Sequence, residues 1–145
     1  DQRRLHNLFT DESADVILFT FTHHENALRN PNKYGYVKIE NDRVSSIKEK
    51  GPISDNPYKD HALTGIVVYK KGSYLFDSIR KMISRPENKN FFFISAINEL
   101  IQEGKKVVVF EVDHFVSLST VIDYQEFLYW QDYFHKLKHH PYSKV

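Results

Sequence analysis

The chain has 145 residues, 41% of them apolar, enough for the core of one domain. Its 20 basic residues balance 19 acidic ones, which excludes a field strong enough to steer nucleic acid. It has no cysteine, hence no disulfide or thiolate chemistry, which fits a reducing cytoplasm; no apolar run crosses a bilayer and no signal peptide is present, so a membrane partner is not expected.

In chain order, Leu5, Leu8 and Phe9 recur at helical spacing, and residues 3–10 read as the end of a helix. Residues 14–22 are rich in Val, Ile, Phe and Thr and read as a strand buried on both faces, as in a parallel sheet. A polar stretch with Asn30-Pro31-Asn32 turn chemistry follows. Residues 34–40 and 43–50 form a predicted hairpin with Asn41-Asp42 at its turn. Residues 51–60 are a surface loop, and residues 61–70 a further strand closed by Lys71-Gly72.

The second half is more helical. Residues 73–83 set Leu75, Phe76, Ile79, Met82 and Ile83 on one face, and Pro86 breaks the pattern. Residues 94–102 carry Ile94, Ile97, Leu100 and Ile101, with Gly104 in a C-cap position. Residues 105–112 read as an apolar strand. Thr120 then precedes a last helix as its N-cap, with Asp123 in the capping-box position. Phe127, Trp130, Phe134 and Leu137 follow at a three-to-four-residue rhythm, read as core or a subunit contact. Strands alternating with helices predict a single α/β domain: a mixed, mostly parallel sheet with flanking helices and an inserted antiparallel hairpin.

Four motifs, in order over residues 14–130, together resemble the second half of the sugar-phosphate nucleotidyltransferases. Those enzymes join a nucleoside triphosphate to a sugar 1-phosphate. Tyr34-Gly35-Tyr36-Val37 is similar to a strand whose glycine admits the sugar to the backbone. Glu49-Lys50-Gly51-Pro52 resembles the glutamate-lysine-proline signature, in which the glutamate holds sugar hydroxyls and the lysine contacts phosphate. Thr64-Gly65-Ile66 resembles the strand beside the sugar. Phe115 to Thr120, followed by Asp123-Tyr124, is similar to the turn before the last helix. The resemblance implies Lys50 as the catalytic cation and Tyr34, Gly35, Glu49, Lys50, Thr64 and Gly65 as substrate contacts. It implies Mg²⁺ as cofactor, with sugar 1-phosphate, nucleoside triphosphate and the N-terminal half of the domain as partners, and leaves a homo-oligomer open. The physical logic agrees: in-line attack on an α-phosphorus asks the protein to position anions and neutralise charge. Because adjacent strand residues face opposite ways, Glu49 and Lys50 converge only at a strand end or bulge, where Gly51-Pro52 stands.

Three features depart from that pattern. The five glycines stand singly, so the phosphate-cradling loop is absent; the resemblance then implies a chain starting at Asp1, just after the first metal-binding aspartate, and inactive alone. Ser117 occupies the position of the second magnesium-binding aspartate, and a neutral hydroxyl is a poor ligand for a hard dication. Asp113, four residues away, is roughly 13 Å along a strand. The acidic stretch before the later helix reads Asn90 to Ser95 here, so no contact is carried over from it. These losses define an alternative, a non-catalytic sensor or scaffold of the same fold. His23-His24 and His139-His140 lack zinc-site spacing. Ser117 has no elbow motif for a Ser-His-Asp triad. The basic tail carrying Lys136, Lys138, His139, His140 and Lys144 reads as solvated rather than as a nucleic-acid site.

Overall fold

The computed structural model describes residues 2–10, 14–85, 93–139 and 141. Pro86, residues 90–92 and the tail residues His140 and Lys144 lie outside the described residues. The chain divides into two compact units, Asp1–Asp113 and His114–Val145.

The first unit contains α1 (Gln2–Thr10), β1 (Val16–Phe21), α2 (Glu25–Arg29), β2 (Tyr36–Glu40), β3 (Arg43–Lys48) and β4 (His61–Tyr69). After β4 come α3 (Gly72–Ser84), α4 (Ala96–Gln102) and β5 (Val107–Glu111). Among the described residues the strands form one five-stranded sheet in the order β3-β2-β4-β1-β5. The expected α/β class, mixed sheet and hairpin are present, but the sheet is mostly antiparallel. The β2–β3, β2–β4 and β1–β4 pairs are antiparallel, and only β1–β5 is parallel. The cause lies in the connections: a two-residue turn joins β2 to β3, and a loop without a crossover helix joins β3 to β4. Burial of β1 on both faces misled the directional reading, because it reports covered faces and not strand direction.

Both faces are covered. Val16, Leu18, Val37, Ile47, Leu63 and Val107 pack with Ile97 and Leu100 of α4. Their neighbours on the other face, Ile17, Val108 and Phe110, pack with Leu5 and Leu8 of α1. The period-two alternation along β1 and β5 thus serves two cores at once.

Local chemistry explains the breaks. Asn41 and Asp42 take positive φ values of 51° and 59°, the left-handed pair that a tight hairpin turn demands. At the end of α4, Gly104 (φ 79°) carries a Schellman closure. Its N–H donates to Ile101 O at 3.0 Å, and the Lys105 N–H donates to Leu100 O at 3.0 Å. Helix α3 departs from expectation. It buries Ser78 and Met82, while Phe76 and Ile83 stay 62% and 58% exposed. The small Ser78, whose hydroxyl donates back to Leu75 O at 2.9 Å, is the inward residue that periodicity of large apolar side chains overlooks.

The second unit holds α5 (Val121–Lys136), capped by Thr120 and Asp123 in a complete capping box. Trp130 and Phe134 stack one turn apart with centroids 5.9 Å apart, but Trp130 remains exposed.

The edge strand β3 is held by a side chain. Asn98 of α4 accepts from the Ile47 N–H at 2.9 Å and donates to Ile47 O at 3.0 Å, satisfying both backbone groups of a buried residue. Asn98→Ala orphans that pair and is expected to destabilise the fold by about 1–3 kcal/mol in urea titration. A change well under that range would show that water replaces the amide without loss.

Candidate functional site

The candidate residues Tyr34, Gly35, Glu49, Thr64 and Gly65 gather around one stretch of sheet. The β2–β3 register pairs Tyr36 with Lys48, and the β2–β4 register pairs Tyr36 with Ala62. One residue earlier, Gly35 stands between Glu49 and Leu63. Its carbonyl accepts from the Leu63 N–H at 2.9 Å, and Tyr34 O accepts from the Gly51 N–H at 3.1 Å. A Cβ on Gly35 would lie 3.0 Å from Glu49 O, 3.1 Å from Lys48 O and 3.1 Å from Leu63 Cδ1. Two of those three neighbours are backbone, so only glycine fits without displacing the sheet.

Gly65 is a glycine for another reason. Between the pairs Leu18–Val67 and Thr20–Leu63 the β1–β4 register slips, so residues 64, 65 and 66 of β4 stand opposite Phe19 alone. Gly65 sits in that bulge at φ 93°, with nothing within 4 Å of a Cβ. The bulge is pinned by Thr64, whose hydroxyl donates to Phe19 O at 3.0 Å and accepts from the Ile66 N–H at 3.3 Å. A bulge inside the sheet re-aims backbone and side chains, as it commonly does next to ligand sites. Thr64 therefore has a firm structural role alongside the contact expected of it.

Glu49 and Lys50 follow the last residue of β3, and Gly51 turns the chain at φ 85°. This is the strand-end break anticipated for the pair. Glu49 is half-buried and accepts a hydrogen bond from the Ser95 hydroxyl, while Lys50 is exposed. Ser95 belongs to the stretch whose family contacts are lost in sequence, yet it reaches the candidate carboxylate. Lys48 is turned away: its ammonium donates to Pro52 O at 2.8 Å. The loop beyond is organised by Asp60, which sequence reading missed. Its carboxylate accepts from Ile53 N and Ser54 N, both at 3.0 Å, and from the Ser54 hydroxyl at 2.7 Å. Under this loop the Tyr36 hydroxyl is pushed up to about 12, first by burial and then by the charges of Asp60 and Tyr34.

A second polar group lies where β1 and β5 end, and sequence gave no motif for it. Thr20, fully buried, shares a 3.0 Å hydrogen bond with His61 Nδ1. Thr22 donates its proton to the Glu111 carboxylate, so the 2.7 Å contact between Thr22 and His23 Nδ1 requires the imidazole to donate. Burial holds the His61 imidazole below its ordinary value; Glu111 and Asp60 oppose that shift, while Arg4 and His23 add to it.

In the second unit, Ser117 is buried and donates to Asp123 Oδ2 at 2.9 Å. The same oxygen accepts from Thr120 N at 3.0 Å and from the Ser119 hydroxyl at 3.3 Å. Asp123 thus commits Oδ2 to the helix start and to the two serine hydroxyls. Among the described residues no group of three or more His, Asp or Glu side chains is arranged to hold a metal.

A mixed five-stranded sheet flanked by helices defines an α/β domain. The family model for nucleotidyl transferase matches residues 3–133. The chain belongs to the nucleotidyl transferase family. Among solved structures it is similar to a nucleoside-diphosphate-sugar pyrophosphorylase from Vibrio cholerae RC9, with a TM-score of 0.63 and 22% identity. The match covers 80% of this chain and 47% of that one, so the chain spans about half its neighbour's length, and the likeness is one of fold. No curated protein matches.

Two predictions follow from this geometry. Gly35→Ala is expected to destabilise by about 1–3 kcal/mol through overpacking, whereas Gly65→Ala strains only its backbone, by roughly 1–2 kcal/mol. Chemical denaturation of both variants checks this, and a neutral Gly35→Ala contradicts the packing account. The second concerns pH. Because folding lowers the His61 value, the unfolded chain takes up a proton first as pH falls. His61's contribution is therefore complete above its ordinary value near 6.5 and declines below it. Melting temperatures between about pH 7.5 and about pH 5 should fall more steeply in the wild type than in His61→Gln. Parallel curves would remove His61 from the acid response.

Proposed function

We propose that this chain is the sugar-phosphate-binding, C-terminal part of a nucleotidyltransferase domain that makes nucleotide sugars from a nucleoside triphosphate and a sugar 1-phosphate. The observation that carries the reading is the seat of Gly35, which the backbone carbonyls of Lys48 and Glu49 and the Leu63 side chain crowd so closely that the chain carries no side chain there, next to the residue that bears the candidate carboxylate. A sugar ring laid against Gly35 would meet backbone, and Glu49, an acceptor, would take its hydroxyl protons. Lys50 supplies a point cation on a flexible stem for the phosphate. Tyr34 adjoins Gly35 in the chain, and Thr64 and Gly65 follow Leu63, whose N–H donates to the Gly35 carbonyl. Chemistry of this kind is accelerated by positioning and charge neutralisation, which these residues provide without covalent participation.

Residues outside this chain would complete the triphosphate site and choose the base. Mg²⁺ would supply charge neutralisation at the phosphates in the complete enzyme. The turn at Ser117 fits it poorly, because a neutral hydroxyl stands there and Oδ2 of Asp123 is already engaged by three donors. A cytoplasmic location belongs with this reading, and no helix among the described residues is long and apolar enough to cross a membrane. The Ser117 arrangement also favours a second reading, a sensor or scaffold that binds without turnover. Pyrophosphate release by the complete protein would eliminate it.

The test is calorimetric titration of the complete protein with glucose, galactose and mannose 1-phosphates in the presence of nucleoside triphosphate and Mg²⁺. At least one sugar phosphate should bind, and Lys50→Ala should weaken it roughly tenfold or more, the scale of a charge-assisted contact. Absence of binding by all three, or unchanged affinity in Lys50→Ala, would remove the assignment of this site.

A further inference from the structure

Ser95 is the residue before α4, the N-cap position, where a serine hydroxyl ordinarily accepts from the first turn of its own helix. Here it does not. The Ser95 side chain makes no cap bond, and its backbone has already turned helical at φ −71°, ψ −24°, because a short 3₁₀ segment (Phe93–Ser95) runs directly into α4. The hydroxyl is directed across to β3 instead and donates to Oε1 of Glu49. Among the described residues Oε2 of Glu49 has no hydrogen-bond partner.

Asn98 lies three residues further on, hence on the same side of the helix. It holds both backbone groups of Ile47, two residues before Glu49. The helix therefore grips β3 twice, once through its backbone and once through the carboxylate at its end. The two grips differ in what they fix. Asn98 sets the position of the strand. Ser95 sets the rotation of one carboxylate, taking one oxygen and leaving the other available as an acceptor. A glutamate has three side-chain torsions, and an untethered one at a strand end samples many rotamers that must be surrendered on binding. A hydroxyl that fixes it beforehand removes much of that loss.

We infer that Ser95 is a positioning residue for Glu49, orienting the carboxylate so that Oε2 accepts a ligand hydroxyl. The inference rests on the sugar-phosphate reading of the site and adds to it the group that aims its acceptor. Ser95 itself does not touch the ligand.

A double-mutant cycle on the complete protein separates these roles, with whichever of glucose, galactose or mannose 1-phosphate binds most tightly as the probe. Ser95→Ala should weaken binding roughly three- to tenfold, the scale of one hydrogen bond to a charged group. Ser95→Thr, which keeps the hydroxyl, should restore most of it. In a Glu49→Gln background, Ser95→Ala should add little further loss. Equal losses in both backgrounds would show that Ser95 contacts the ligand on its own account and would overturn the positioning role; so would unchanged affinity in Ser95→Ala alone. If Glu49→Gln itself has no effect, or no sugar phosphate binds, it is the sugar-phosphate reading that fails. The Ser95 inference is then decided without ligand by crystal structures of the complete wild-type and Ser95→Ala proteins. A Glu49 carboxylate that swings away or loses order in the variant supports it, and a carboxylate in the same place overturns it.

Discussion

The crowding of Gly35 by the backbone of Lys48 and Glu49 and by the Leu63 side chain is the constraint on which the rest of the candidate site depends. Glu49 O, Lys48 O and the Leu63 side chain all stand about as near to that position as a Cβ could tolerate. The sheet closes there only because nothing projects from it. Under the proposed reading, a sugar ring would lie against the backbone of this stretch.

Around that point the structure divides labour among residues that sequence alone would treat alike. Glu49 and Lys50 are neighbours at the end of β3, yet one is half-buried and tethered by Ser95 while the other is exposed. Gly35 and Gly65 are both glycines of the sheet, but the first is required by crowding and the second by a left-handed backbone in open space. Asp60 and Asp123 are carboxylates spent on backbone N–H groups and hydroxyls, one to shape the loop after β3 and the other to start α5. Carboxylates of this kind, accepting from backbone N–H groups and hydroxyls, hold structure in place.

Much of this was legible in the residues. The Asn41-Asp42 turn, the Gly104 closure and the Thr120–Asp123 box are local chemistry, and each appears where its residue types place it. The four ordered motifs gave the family, which the nucleotidyl transferase match over residues 3–133 supports. Strand direction was not legible, because a run such as Val16–Phe21 is apolar whenever both faces are covered, whichever way its neighbours run. Helix α3 misled because Ser78 points inward beside Met82, while Phe76 and Ile83 stay exposed. Ser95 was invisible as a contact: its partner lies 46 residues away in sequence, and a serine before a helix reads as a cap. The cluster of Thr20, Thr22, His61 and Glu111 depends likewise on strand register, which no spacing along the chain reveals.

The central claim is that a sugar phosphate binds against Gly35, beside Glu49 and within reach of the Gly65 bulge. The most direct measurement is an amide NMR titration of the isotopically labelled complete protein with sugar 1-phosphate. The account predicts that the largest, saturable shifts fall on Gly35, Glu49, Lys50 and Gly65, with the amides of the α1 face unmoved. Saturable shifts centred on any other surface, with those four amides unchanged, would contradict it.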